Sequence, residues 1–338
     1  MKKGKILTNP LIRSVLRHPY PQKEERALSR DGAVLFAAED GAAYGSSQST
    51  LVYGGEYAEA LCLYRSLNAA LAAGMIPETL QLLLTLPVSE TEQMLNQRMK
   101  TFTELAGREN LRITGGHTTV SDKVSDPVLS SVISGKFARK EALPAEERLR
   151  EMFSEASGQN LPGPALVMTG SSGQCGTGIL LQEKREVLRG RFSEEFLSEA
   201  ALSWEMLSVR KAAEMMRDFG AVMHPVSEGG LFSALYSFAE GYGCGFTVDL
   251  YEVPIRQETV EICNFLDVNP YELLSTGALI AAVLDGEACV LALQEIGVQA
   301  SVIGCLQPGK QKILQKRDEQ RSLERPKQDP LMRLSDFG

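Results

Sequence analysis

Apolar residues along this chain fall into two rhythms. Between residues 57 and 73, Ala60, Leu61, Tyr64, Leu67 and Leu71 recur every three or four positions, which predicts a helix with one buried face, closed by Gly74 as its C-terminal cap. The apolar density of residues 79–86 predicts a buried strand. A second helix is expected over 90–105, a strand over 111–114 running into Gly115-Gly116-His117, and another over 128–136. Upstream, 9–17 reads as a short helix with Pro10 in its first turn, stopped by Pro19-Tyr20-Pro21, and 33–38 reads as a strand. The Gly/Ser/Gln-rich run 41–50, given no element of its own, leads into the first long helix. The N-terminal part is therefore expected as strand, helix, strand, helix, strand, strand.

Residues 140–164 turn charged and then rich in Gly158, Pro162, Gly163 and Pro164, which marks a domain boundary. The domains are expected at 1–150 and 160–316, followed by a tail, 317–338, that stays polar until Leu331, Leu334 and Phe337. In the second domain, strands are expected at 165–169, up to His224-Pro225, at 245–250, 278–284 and 300–305. Helices are expected up to Phe219 and at 229–241, 255–266 and 288–296. Such alternation predicts a sheet covered by helices, so the chain as a whole reads as α+β. Trp204 and Met206, between helices, are expected in the core.

Composition fits two folded domains: 338 residues, 43% hydrophobic and 23% charged. A net charge of −8 argues against a nucleic-acid or anionic-membrane partner, because neutralising phosphates requires a basic face. Cys62, Cys175, Cys244, Cys263, Cys289 and Cys305 are scattered without a C-x-x-C pair, so they read as reduced thiols, mostly in the core. Polar residues after Lys2, Lys3 and Lys5 interrupt any signal-peptide core, and no apolar run nears the ~20 residues that cross a bilayer. A cytoplasmic protein is expected.

Three glycine clusters carry the candidate chemistry: Gly115-Gly116-His117-Thr118, the run from Gly170 through Gly173 and Gly176-Thr177 to Gly178, and His224-Pro225-Val226-Ser227-Glu228-Gly229-Gly230. Each is expected at a strand end. Glycine lets backbone amides approach a phosphate, and a following helix adds its positive end, so a phosphorylated ligand is the expectation. As structural features the same glycines only make turns, and Ser227-Glu228 only caps a helix. The second cluster would also open a nicotinamide-binding fold. That fold needs a strand-end acid ~20 residues on, where 182–201 reads instead as charged helix, and no Tyr-x-x-x-Lys pair or Walker A lysine is present. His117 and His224 are able to act as acid, base or ligand, or to serve as structural hydrogen-bonders; His18 reads as surface.

In order along the chain, Gly115 to Thr118, Gly176-Thr177, His224 to Leu231 and the run Val253-Pro254-Ile255-Arg256 to Cys263 resemble the AIR-synthase superfamily, especially its hydrogenase-maturation, HypE-like branch. The likeness is strongest over 224–282, including Asn269-Pro270 and Ser275-Thr276-Gly277. It implies a two-domain PurM-like fold, with N-terminal sheets pairing across a homodimer into a β-barrel and a C-terminal α/β sandwich domain. It also implies magnesium-ATP held in a cleft by N-terminal carboxylates, and phosphorylation of an amide or carboxyl-type oxygen. By that likeness Asp31, His117 and His224 are the catalytic candidates and Asp31 the metal ligand. Asn68, Gly115, Gly116, Thr118, Gly176, Thr177, Ser227, Glu228, Gly229 and Gly230 are the nucleotide-binding candidates.

The chain departs from the branch at its acids. Asp31 survives within Ser29-Arg30-Asp31-Gly32-Ala33, but Gln48, Ala69, Thr119 and Pro225 stand where the branch has carboxylates. Each loss removes an oxygen ligand that a hard cation prefers, so ATP and magnesium binding are expected in weakened form. The chain also ends Ser335-Asp336-Phe337-Gly338, where the carbamoyl-dehydrating members carry a terminal cysteine. The leading expectation is a homodimeric nucleotide- or phosphate-binding protein of little or no ATPase activity, acting with a protein partner. The alternative is an active ATP-dependent enzyme, of the ligase or dehydratase type, in which Asp31, Asp122 or Glu228 replaces the lost ligands.

Overall fold

The computed structural model describes residues 33–37, 43–137 and 145–334. The expected helix at 9–17, His18 and Asp31 lie outside the described residues. The rest divides into two compact units, which meet in the chain between residues 137 and 145.

The first unit opens with strands β1 (Ala33–Ala37) and β2 (Ala43–Val52), helix α1 (Ala58–Ala72) and strand β3 (Met75–Pro87). Helix α2 (Glu92–Arg108) and strands β4 (Arg112–Ser121) and β5 (Val128–Phe137) follow. The five strands order as β1-β2-β5-β3-β4, antiparallel except for the β3/β4 pair. The Gly/Ser/Gln-rich run 41–50, to which the sequence assigned no element, thus falls largely in an interior strand. Its serines and glycine are poor strand formers, but hydrogen-bonded neighbours on both sides override that preference.

Helix α1 covers one face of this sheet. Its residues are nearly all buried, and Ser131 on β5 donates to the Cys62 carbonyl at 2.6 Å and lies 2.7 Å from the Ser66 hydroxyl. Helix α2 is tied to α1 by Arg98, whose guanidinium bonds Glu59 of α1 and, at 2.6 Å, Glu90 before α2. All three side chains are largely buried. The other face of the sheet is open in the single chain, with Tyr44, Gln48, Val52, Gln81 and Leu83 exposed.

The second unit begins with helix α3 (Ala145–Gly158), inside the segment expected to hold the domain boundary; its Leu149 and Met152 enter the core of this unit. Then come β6 (Ala165–Thr169), the short helical turns α4 (Gln174–Glu183), α5 (Arg185–Arg189) and α6 (Glu194–Glu199), and α7 (Arg210–Asp218). The remaining elements are β7 (Val222–Val226), α8 (Gly230–Tyr242), β8 (Gly245–Asp249), α9 (Gln257–Phe265), β9 (Ala278–Val283), α10 (Gly286–Glu295) and β10 (Ala300–Gln307). The chain adds a hairpin, β11 (Lys312–Lys316) and β12 (Glu319–Ser322), and one turn of helix, α11 (Leu331–Leu334), none of which the sequence pattern announced.

The seven strands order as β12-β11-β8-β10-β6-β9-β7. Strand β9 is buried throughout, and the main core lies between the sheet and helices α3 and α8. Trp204 and Met206, expected in the core, sit on a 3-10 turn (Trp204–Leu207) whose buried residue is Leu207; Met206 is 39% exposed. Among the described residues no helix is long and apolar enough to cross a membrane.

Candidate functional site

The second and third glycine clusters meet at one end of the seven-stranded sheet. Strand β6 runs into Gly170 to Gly173, where a left-handed Gly173 (φ 73°) starts α4. Strand β7 runs into Ser227 to Gly229, where a left-handed Gly229 (φ 79°) starts α8. Ser275, in the loop before β9, joins them: its hydroxyl accepts from Gly173 N at 2.7 Å, and its own amide donates to Ser227 O at 3.2 Å. The Thr276 hydroxyl lies 3.4 Å from that of Ser227.

The other segments that carry the resemblance attach to the same loops. Ser172 N donates to Pro254 O at 2.9 Å and its hydroxyl to Pro270 O at 3.1 Å, while Arg256 N donates to the Ser171 hydroxyl at 3.1 Å. Four stretches far apart in sequence, 170–177, 227–230, 253–256 and 269–277, therefore form one hydrogen-bonded end of the domain. Gly230 shows why a residue without a side chain is needed there. Its φ is +62°, and a Cβ would lie 2.5 Å from the Tyr271 carbonyl oxygen and 2.7 Å from that of Leu273.

Many of the amides that glycine was expected to offer a phosphate are already engaged within the protein. Gly176 N donates to Leu274 O at 2.8 Å, and Thr177 gives both its amide and its hydroxyl to Gly173 O at 2.9 Å. Gly230 N donates to Ser227 O at 3.0 Å. Gly229 N differs in donating to a carboxylate, Asp329 Oδ2, at 2.8 Å. Sequence reasoning missed Asp329, because the tail that carries it lies 100 residues beyond its partner.

His224 is buried on β7, its ring edge-on to Phe238 with centroids 6.2 Å apart. Pro225, standing where the resemblance has an acid, is tolerated because β7 is the outer strand of its sheet. Ser227 and Glu228 are half-buried beside Gly229.

The first glycine cluster behaves differently. Expected at a strand end, Gly115, Gly116, His117 and Thr118 instead lie within β4, and all four are exposed on the outer strand of the five-stranded sheet. Gly116 (φ +153°) faces the Leu82 carbonyl so closely that a Cβ would overlap it. Asn68 is buried on α1. Gln48 and the Asn68-Ala69 pair do not converge within the chain, because α1 covers the Ser47 side of β2 whereas Gln48 shares the opposite face with Thr50, which bonds Ser130 at 2.8 Å. Among the described residues, no three His, Cys, Asp or Glu side chains are grouped as a metal site.

All six cysteines are free, and five are buried. Burial pushes the Cys62 and Cys263 thiols up to about 12 and those of Cys244 and Cys289 to about 11, so none of these four is a thiolate nucleophile near neutral pH.

A five-stranded α+β unit followed by a helix-covered, mostly antiparallel sheet with glycine loops at one end defines a two-domain PurM-like protein. Residues 162–317 match the family profile described as AIR synthase related protein, C-terminal domain. A Methanocaldococcus jannaschii protein named for hydrogenase expression/formation is 26% identical over 251 residues, 72% of this chain and 68% of that one. The carbamoyl dehydratase HypE of Rhodobacter capsulatus is 30% identical over 159 residues, 46% of this chain and 44% of the relative. Among solved structures, a chain of a HypE–HypF complex superposes with a TM-score of 0.74 at 17% identity, covering 94% of this chain and 99% of its own. HypE in complex with ATP gives 0.70 at 20% identity, covering 98% of each chain. Over residues 162–317 the chain is thus similar to AIR-synthase-related proteins, and its fold is the one seen in HypE.

Proposed function

We propose that this protein is a HypE-like scaffold that keeps a phosphate- or nucleotide-binding glycine site in its C-terminal domain, binds magnesium weakly, and turns ATP over slowly or not at all. The observation that carries the reading is the contrast between the glycine loops and the acids. The glycine loops around Ser275 are intact and hydrogen-bonded together. The acids that a magnesium-ATP site of this branch would use are Gln48, Ala69, Thr119 and Pro225 here, leaving Asp31 as the surviving N-terminal ligand.

On this reading Gly229, Gly230, Ser227 and Thr177 shape the phosphate end within the C-terminal domain. Asp31, His117 and His224 are the groups left to orient a ligand or move a proton. A solved HypE holds ATP on this fold, which supports a nucleotide as the ligand. A solved HypE–HypF complex supports a protein partner.

The open face of the five-stranded sheet, with its exposed outer strand β4, supports pairing with a second copy into a homodimeric barrel. Free cysteines fit a reducing cytoplasm. The enzyme alternative, phosphorylation of a small amide or carboxyl-type oxygen, draws on Glu228, half-buried at the α8 terminus, and on exposed Asp122.

Phosphate release from ATP separates the two. With magnesium present and the protein in micromolar amounts, release no faster than the protein-free background is expected over hours. Sustained turnover that scales with protein concentration and is lost on Glu228→Gln would replace the scaffold reading with the enzyme.

A further inference from the structure

The C-terminal segment beyond the seven-stranded sheet makes contacts that the proposed function leaves unused. The β11–β12 hairpin is held against the domain by three cations over aromatic rings: Lys312 over Tyr236 at 5.0 Å, Arg317 over Tyr251 at 5.8 Å and Arg321 over Phe232 at 6.0 Å. Phe232 stacks in turn on Tyr271, in the loop that crowds Gly230. Leu323 N then donates to Lys312 O at 2.7 Å, and the chain crosses to the glycine loops.

There the segment is sealed in place. Leu331 is fully buried and Met332 nearly so, in a helical turn packed on α4. Asp329, 2% exposed, holds two amides at once: Oδ2 accepts from Gly229 N at 2.8 Å and Oδ1 from Leu331 N at 2.9 Å.

The chemistry of this contact is that of a bound phosphate oxygen. A carboxylate sits on a left-handed glycine amide at the positive end of a 13-residue helix. The amides of Gly173, Gly176 and Gly230, by contrast, are engaged by neutral hydroxyl or carbonyl groups. A phosphate cannot use Gly229 N while Asp329 holds it, and a second anion beside the carboxylate is repelled at low local dielectric.

We propose that residues 323–334 form a strap that seats the Asp329 carboxylate in the anion position at the start of α8, so that a phosphate-bearing ligand reaches Gly229 only by lifting the strap. The inference rests on the phosphate-site reading above and adds to it an intramolecular competitor. Ligand binding and release of the strap are then linked: each favours the other, and anything that pulls the strap away, a protein partner included, opens the site.

Inorganic pyrophosphate is the probe, with the full-length protein and its Asp329→Asn variant, which keeps the shape and removes the charge. The variant is expected to bind pyrophosphate about tenfold more tightly than the wild type, the scale of one charge-assisted hydrogen bond. In the wild type, saturating pyrophosphate is expected to speed tryptic cleavage after Lys327. This second readout needs no variant and stands even where Asp329→Asn folds poorly. Equal affinities with a cleavage rate indifferent to pyrophosphate overturn the strap while leaving the phosphate site standing. No pyrophosphate binding by either protein overturns both.

Discussion

Gly230 concentrates the demands of the site in one residue. Its backbone is left-handed and the carbonyls of Tyr271 and Leu273 press on the space a side chain would fill. Gly230→Ala is therefore expected to cost more than about 1 kcal/mol, because strain at φ > 0 adds to a clash with backbone that cannot rotate away. A urea midpoint unchanged from wild type would show that the loop relaxes freely and that its shape is not set by this contact. At this scale the sequence was partly legible. Paired glycines after a strand are a local signal, and they marked the two loops that converge. What those loops bond to was not legible: Ser275 and Asp329 are ordinary polar residues, distinguished only by the partners that folding brings to them. Gly115 and Gly116 misled for a related reason, since glycine allows a close strand-to-strand approach as readily as a turn, and Gly116 serves the former.

Elements announced by apolar periodicity formed where expected, from α1 through β9 and β10, because burial of one face is encoded locally. The failures were elements stabilised from outside themselves. Strand β2 has the composition of a linker and becomes a strand by pairing with β1 and β5; the β11–β12 hairpin is polar and is held by cation–aromatic contacts with the body of its domain. Helix α2 is anchored in a similar way by the Arg98 bridge to Glu59 and Glu90. Arg98→Ala leaves two buried carboxylates facing each other without a cation, and a loss of roughly 3–5 kcal/mol is expected. Chemical denaturation followed by circular dichroism measures it. A loss under about 1 kcal/mol would mean that the bridge is solvated like a surface pair and does not fix α2.

For the whole molecule, the sequence resemblance and the fold agree on a PurM-like, HypE-like scaffold, and the resemblance implies departures at Gln48, Ala69 and Thr119 of the N-terminal domain and at Pro225 of the C-terminal one. The glycine loops of the seven-stranded sheet are linked by hydrogen bonds, while on the proposed reading Gln48, Ala69, Thr119 and Pro225 stand where the branch has acids. Magnesium normally bridges phosphate oxygens and neutralises their charge, so a site without its carboxylates should bind nucleotide with little help from the metal. The central claim is thus about metal dependence more than about affinity. It is tested most directly by titrating the full-length protein with ATP in a calorimeter, once with magnesium and once with EDTA. The account predicts weak binding whose dissociation constant changes by less than about threefold between the two conditions, since about one charged ligand of the set remains. Tight binding that appears only with magnesium would contradict it, and would mean that other acids of the protein rebuild the metal site.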